Sequence, residues 1–179
     1  KHDIPVKLVW AREDDMTGGY YRPAYLHTLR AGLDARGDVV GWQHRIVGQS
    51  ITEGTSMAAM TTKDGIDQTS VEGASNLPYA IANRAVDLHT PSIGVPVLWW
   101  RSVGSTHTAF VMETLIDEAA HAAGQDPVAY RKKLIDAKHV RHHAALDLAV
   151  AQSGYGKKTL PKGHAYGVAL HESFNTVVA

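Results

Sequence analysis

No cysteine occurs in the 179 residues. That excludes a disulfide framework, a thiolate zinc site and any iron–sulfur cluster ligated by this chain. If the protein takes part in redox chemistry, electrons must pass to a cofactor held by other groups or to another chain. An excess of charge is missing too. Lys+Arg and Asp+Glu number 18 each, so no overall field recruits nucleic acid or an anionic membrane. No apolar run approaches the roughly 20 residues of a membrane span. The sequence holds no G-x-S-x-G, H-E-x-x-H, G-x-x-x-x-G-K or G-x-G-x-x-G, and neither repeats nor low-complexity tracts. Lys1-His2-Asp3-Ile4-Pro5 lacks an initiator Met and a signal-peptide core, and the chain stops in the strand-like Thr176-Val177-Val178-Ala179. Both features are expected of an internal piece of a longer protein.

What is present suffices for one sizeable core. Val6-Lys7-Leu8-Val9-Trp10-Ala11-Arg12 alternates and predicts a strand. Glu13-Asp14-Asp15 invites a metal reading; a solvated loop, with one acid capping a helix or pairing Arg12, is the plainer expectation. Ala24 to Asp34 and Val39 to Gly48, joined through Ala35-Arg36-Gly37-Asp38, predict a long antiparallel hairpin. Ser50 to Asn76 is small and polar, an irregular segment with one short helical turn at Ala58-Ala59-Met60. Tyr79 to His89 reads as a return strand.

The centre of interest is Pro96-Val97-Leu98-Trp99-Trp100-Arg101-Ser102-Val103-Gly104 and the helix predicted from Thr106 to Ala123. A strand end, a tight turn and a helix N-terminus suit an anion, and the guanidinium of Arg101 suits phosphate or carboxylate. The competing reading is a core strand whose tryptophans are buried and whose arginine caps a carbonyl. Downstream, Gly124 marks the helix end and Asp126-Pro127 starts a second helix. A third runs from Ala144 to Gln152, and Tyr166 to Val177 is strand-like. Of eleven scattered histidines, His139, His142 and His143 alone cluster in sequence. They suggest either a zinc site or an exposed helix start.

Laid out in this order, the chain resembles the molybdopterin-binding large subunit of the xanthine dehydrogenase/aldehyde oxidase family, in particular the isoquinoline 1-oxidoreductase beta-subunit branch. Val9-Trp10-Ala11-Arg12-Glu13-Asp14-Asp15-Met16 with Tyr21-Arg22-Pro23 is similar to the family's V-W-[ST]-R-E-[ED]-D segment. Arg30-Ala31-Gly32-Leu33-Asp34-Ala35-Arg36-Gly37 is similar to its A-G-L-D-x-x-G hairpin. Trp100-Arg101-Ser102-Val103-Gly104 resembles its F-R-G-F-G loop, and Glu113 to Leu134 resembles the helix pair that follows.

The resemblance implies an α+β (mixed α/β) fold, an antiparallel hairpin-rich sheet packed against two or three helices. Residues 1–155 would form the middle of the molybdopterin-binding domain and 156–179 the start of its next subdomain. It implies molybdopterin cytosine dinucleotide as cofactor, contacted by Trp100, Arg101, Ser102, Val103 and Gly104. Val103 and Phe174 would face substrate, a small aldehyde or N-heteroaromatic oxidised with water as oxygen source. The implied partners are the remaining parts of the large subunit and a small [2Fe-2S] subunit carrying the iron–sulfur clusters. Two departures stand out: Val103 where many relatives carry Phe, and Ser102 where Gly is commoner. A G-G-G-F-G-type loop before Lys1 and a catalytic Glu in a Gly-x-Gly-Glu context beyond Ala179 would lie outside the chain. No metal ligand or catalytic residue is therefore expected within it. The alternative is a non-catalytic α/β interaction domain that binds a partner through its Trp-Trp surface.

Overall fold

A computed structural model describes residues 3–179. In chain order the elements are α1 (Arg12–Gly18), β1 (Tyr25–Leu33), β2 (Val39–Gly48), α2 (Ala58–Thr61), β3 (Thr62–Lys63), β4 (Ile66–Asp67) and α3 (Gln68–Val71). There follow β5 (Arg84–His89), α4 (Ser105–Ala122), α5 (Pro127–Leu134), α6 (Val140–Ser153), β6 (His171–Ser173) and β7 (Thr176–Val178). The main sheet has the order β1-β2-β5. The β1–β2 hairpin is antiparallel, and β5 joins β2 in parallel with Trp42 opposite Arg84. This is the mixed α+β architecture expected from the sequence.

Period-two alternation places the core. Along β2, Trp42, His44 and Ile46 are buried while Gln43 and Arg45 face out. Helix α4 lays Met112, Ile116, Ala119 and Ala120 against this layer, the i, i+4 stripe that the sequence shows. Asp126 caps α5 by accepting the N–H groups of Val128 and Ala129, with Pro127 at the first helical position. Left-handed glycines end two helices, Gly124 after α4 and Gly154 after α6.

A buried ionic knot joins these elements. One carboxylate oxygen of Glu113 accepts the Tyr79 hydroxyl at 2.7 Å. The other accepts Arg131 Nε at 2.8 Å and the Leu170 N–H at 2.8 Å. Arg131 is fully buried and also reaches Asp117 at 2.6 Å and the Glu113 carbonyl at 3.0 Å. Four stretches of chain thus share two side chains.

Several expectations are corrected. Residues 6–11 form no strand: they run extended and exposed, with Val6 and Leu8 about four-fifths accessible and no neighbouring strand to complete a ladder. The acids that follow form α1 rather than a loop, since carboxylates favour a helix's first turn. Asp14 accepts the Ala11 N–H at 3.1 Å and Asp15 lies 3.8 Å from Arg12. Residues 96–104 contain no strand either; Val97 makes one isolated parallel bridge to Tyr21. The return strand begins at Arg84, five residues late, because Tyr79 bridges Ile135 instead. The final strand-like stretch is a tight hairpin, β6–β7, turning at Phe174 and Asn175, both at positive φ. Among the described residues no helix is long and apolar enough to cross a membrane.

Replacing Arg131 by Met would strand the Glu113 carboxylate. Urea unfolding should show a loss of about 3–5 kcal/mol. Wild-type stability in Arg131→Met would mean the knot is dispensable.

Candidate functional site

The Trp100–Gly104 loop is held from the far side of the molecule. Tyr21 N–H donates to the Pro96 carbonyl at 2.9 Å and Leu98 N–H to the Tyr21 carbonyl at 3.2 Å, so residues 96–98 run beside the approach to β1. Arg22 Nη1 then donates to the Arg101 carbonyl at 2.9 Å and to Thr106 Oγ1 at 2.6 Å. Its guanidinium carbon lies 5.3 Å from the Trp100 ring centroid, within cation–π range. The carbonyl-capping arginine is therefore Arg22, and the capped carbonyl belongs to Arg101.

Within the loop, Val103 N–H closes a turn on the Trp100 carbonyl at 3.2 Å. Ser102 and Val103 both take left-handed backbone, φ 67° and 46°. For a β-branched residue that is a strained conformation, and such strain tends to gather at functional sites. Gly104 is needed for a different reason. Its own φ of −65° suits any residue, but an added Cβ would sit 2.1 Å from the Thr69 carbonyl oxygen. The first turn of α4 thus rests directly on α3, secured where Thr108 Oγ1 donates to the Glu72 carbonyl and Ser105 Oγ to the Glu72 carboxylate just beyond it.

Neither sequence reading of this loop survives whole. Trp99 and Trp100 are 42% and 50% exposed, so the tryptophan that fills the core is Trp42. The Arg101 side chain makes no ion pair or hydrogen bond among the described residues, and the N–H groups of Ser102 and Gly104 likewise find no partner there. The exposed residues Arg101 and Ser102 thus offer one cationic group and one backbone donor beside the tryptophans, while Gly104 is buried.

Beneath the loop lies a cavity of ≈ 30 Å³, walled by Arg22, Tyr25, Trp100, Val103, Thr106 and His107 among others. Phe174 is not among its walls: it stands 74% exposed at the β6–β7 turn. The two residues expected to face substrate are therefore not brought together within this chain. The hairpin still approaches the start of α4, since Ser173 Oγ contacts the Glu72 carboxylate at 3.4 Å.

The sequence reading missed a chain of three imidazoles. His27 Nδ1 lies 2.8 Å from His44 Nε2, and His107 Nδ1 lies 3.0 Å from His27 Nε2. Tyr25 stacks on His107 with centroids 3.6 Å apart. Burial, and then the neighbouring His27, pushes the His44 pKa down to about 4. Burial, then His27, His44 and Arg22, pushes His107 to about 3. Burial also lowers His27. The available signal was position: His27 and His44 are diagonal neighbours on the inward face of the hairpin, recoverable once Gly37 fixes the turn.

The sequence cluster at 139–143 behaves otherwise. His142 is buried and lies 3.1 Å from Glu172, tying α6 to β6, so the solvated helix start expected there holds for its neighbours only in part. Among the described residues no three His, Asp or Glu side chains are placed to hold a metal ion.

Ser102→Gly should raise stability by about 0.5–1 kcal/mol, strain relief exceeding the added chain entropy. Gly104→Ala should lower it by about 1–3 kcal/mol through the Thr69 clash. Urea midpoints moving in the same direction for both would contradict this geometry. A pH dependence follows from the imidazoles. His44 is held below its ordinary 6.5, so the unfolded chain binds the proton more readily. Stability is complete above about 6.5 and is lost as pH falls towards about 4. At about pH 5 His44 alone should account for on the order of 2 kcal/mol less stability than at neutral pH, and His107, also held low, adds to the loss in the same direction. A shallower loss in His44→Phe would identify the residue responsible.

The family model described as "Molybdopterin cofactor-binding domain" matches residues 1–135. The aldehyde oxidoreductase molybdenum-binding subunit PaoC of Escherichia coli (strain K12) is 31% identical over 128 residues, 71% of this chain and 16% of that subunit. Isoquinoline 1-oxidoreductase subunit beta of Brevundimonas diminuta is 25% identical over 127 residues, 70% of this chain and 16% of that protein. The chain therefore spans about a sixth of the length of these curated relatives. Among solved structures, quinoline 2-oxidoreductase from Pseudomonas putida 86 superposes with TM-score 0.66 at 14% identity, over 82% of this chain and 20% of that one. At that identity the likeness shows a shared fold. With the family match running through both hairpin strands, the 100–104 loop, α4 and α5, the chain belongs to the molybdopterin cofactor-binding domain family.

Proposed function

We propose that Trp100 to Gly104 forms one wall of the molybdopterin site in a molybdenum-dependent oxidoreductase. The single observation that carries this reading is Arg101, exposed and without a side-chain partner among the described residues, on a strained loop inside the matched region. Phosphate groups on a pterin dinucleotide suit a free guanidinium and an unpartnered N–H donor. When bound, the cofactor supplies the redox and Lewis-acid chemistry. The chain's own task is positional. Arg101 and the N–H group of Ser102 hold anionic oxygens, Arg22 fixes the loop through the Arg101 carbonyl, and Trp100 shields the site from water. Val103 and Phe174 flank substrate once the rest of the protein closes around them.

On this reading the cofactor is the cytosine dinucleotide form, and electrons leave through iron–sulfur clusters on a small [2Fe-2S] subunit. The substrate is an aldehyde or an N-heteroaromatic, the classes named for the relatives. Residues 1–155 belong to the middle of the cofactor-binding domain, and 156–179 open its next subdomain. The catalytic base lies on another part of the polypeptide.

A second reading is favoured by the exposed aromatic recess of ≈ 590 Å³ lined by Trp10, Met16, Tyr20, Tyr21, Trp99 and Trp100. An apolar patch of this kind marks an interaction surface, here for the small subunit or the remainder of the large one. Light scattering of the chain with and without purified small subunit separates the two readings.

In the intact protein, Arg101→Gln should cut molybdenum content and acid-released cytidine monophosphate by about tenfold, the loss of one charge-assisted contact. Unchanged content would remove Arg101 from the site. The isolated chain should bind pterin dinucleotide weakly or not at all, and stoichiometric molybdenum there would refute its dependence on other walls.

A further inference from the structure

Residues 165–170 make a strand in everything but a neighbour. Tyr166, Val168 and Leu170 turn inward, while Ala165, Gly167 and Ala169 are exposed, the alternation of a half-buried strand. The stretch leads straight into β6, yet the N–H and C=O groups of Ala165 to Ala169 have no partner among the described residues. The hairpin beside it fixes which way those groups point. Phe174 and Asn175, at φ 48° and 59°, form a two-residue primed turn, so Ser173 and Thr176 are the bonded pair that closes it. His171 and Val178 make the next bonded pair, and the N–H of Glu172 between them turns away from β7. Leu170 keeps the alternation: its N–H also leaves β7 and reaches Glu113 on α4 at 2.8 Å.

Ala169, Gly167 and Ala165 therefore direct their N–H and C=O groups to the β7 side, in a row about 7 Å apart. β7 itself ends at Val178, opposite His171, and covers none of them. We propose that this edge receives one antiparallel strand of the same polypeptide, continuing the line of β7, whose backbone pairs with Ala169, Gly167 and Ala165 in turn. The direction of β7 selects that occupant. A chain carried on from Val178 in the hairpin's register arrives opposite these residues with no crossover. The proposal rests on the reading of this chain as part of a larger subunit, for it spans 16% of a relative such as PaoC. A ladder of three residues, as in β6–β7, is marginal by itself. The added strand lengthens it and steadies the turn that carries Phe174.

The test is amide hydrogen exchange, read residue by residue on the 179-residue chain and on the intact large subunit. In the isolated chain Ala165, Gly167 and Ala169 should exchange as fast as unstructured peptide. In the intact subunit they should slow by about a hundredfold or more. Equally fast exchange in both would overturn the proposal. So would slow exchange in the isolated chain, whether light scattering finds a dimer, which makes a second copy the occupant, or a monomer, which means the groups are bonded internally. Gly167→Pro supplies a second measurement. Gly167 is outside the left-handed region and an added Cβ there meets nothing within 4 Å, so the isolated variant should keep its urea midpoint. A lowered midpoint would show the Gly167 N–H already in use and overturn the assignment. In the intact subunit the variant loses one rung, and protection of Ala165 and Ala169 should fall about tenfold or more. Unchanged protection would remove Gly167 from any ladder. Should the intact variant not fold, the wild-type comparison decides alone. The molybdenum content of Arg101→Gln does not read this edge, so either result stands if the other fails.

Discussion

One buried carboxylate organises this molecule. The Glu113 carboxyl group cannot sit without partners in a core built of Trp42, Ile46, Ile116 and Leu146. Its position therefore demands Arg131 from α5, the Tyr79 hydroxyl and the Leu170 N–H together. The cost of leaving any one out fixes the angle between α4 and α5 and the placement of the segments either side. Apolar packing alone would tolerate small slides of one helix on another. A bonded ion pair with all its oxygens used does not.

That fixity matters because α4 has a second end. About two and a half turns of α4 follow Glu113, and about two precede it, where the N-terminus carries the loop with Arg101. There Gly104 lies against the Thr69 carbonyl while Ser102 and Val103 hold left-handed backbone. Strain of this kind persists only where surroundings over-determine it. The Arg22 bonds on one side and the Glu72 contacts to Ser105 and Thr108 on the other supply that surround. The loop's shape is thus set by tertiary contacts whose partners lie as many as 84 positions away in sequence.

This division explains what could be read in advance. The β1–β2 hairpin, the α4 stripe, the Asp126-Pro127 start and the Gly154 stop were legible because each is written in adjacent residues. The arrangement that makes Val6 to Ala11 extended but unpaired was not, since alternation states a preference and says nothing of whether a neighbouring edge exists. The loop was identified as the centre of interest from its tryptophans, Arg101 and Gly104, yet Arg22 was invisible as its clamp, and the tryptophans' exposure went against the core-strand expectation. Histidines misled by counting. In the cluster adjacent in sequence His139 and His142 stay edge to face and His142 meets Glu172, while His27, His44 and His107 met across the fold.

The Leu170 N–H on Glu113 also separates two notions of a boundary. The family match closes at residue 135, yet one N–H that Glu113 accepts, that of Leu170, lies 57 positions downstream of the glutamate. A recombinant product trimmed to the matched region would keep the Tyr79 and Arg131 bonds to Glu113 but lose the third donor and the segment packed over that part of α4. The reach of a family likeness and the reach of one side chain's bonding are therefore different lengths of the same polypeptide, and a dissection of this protein has to keep Leu170.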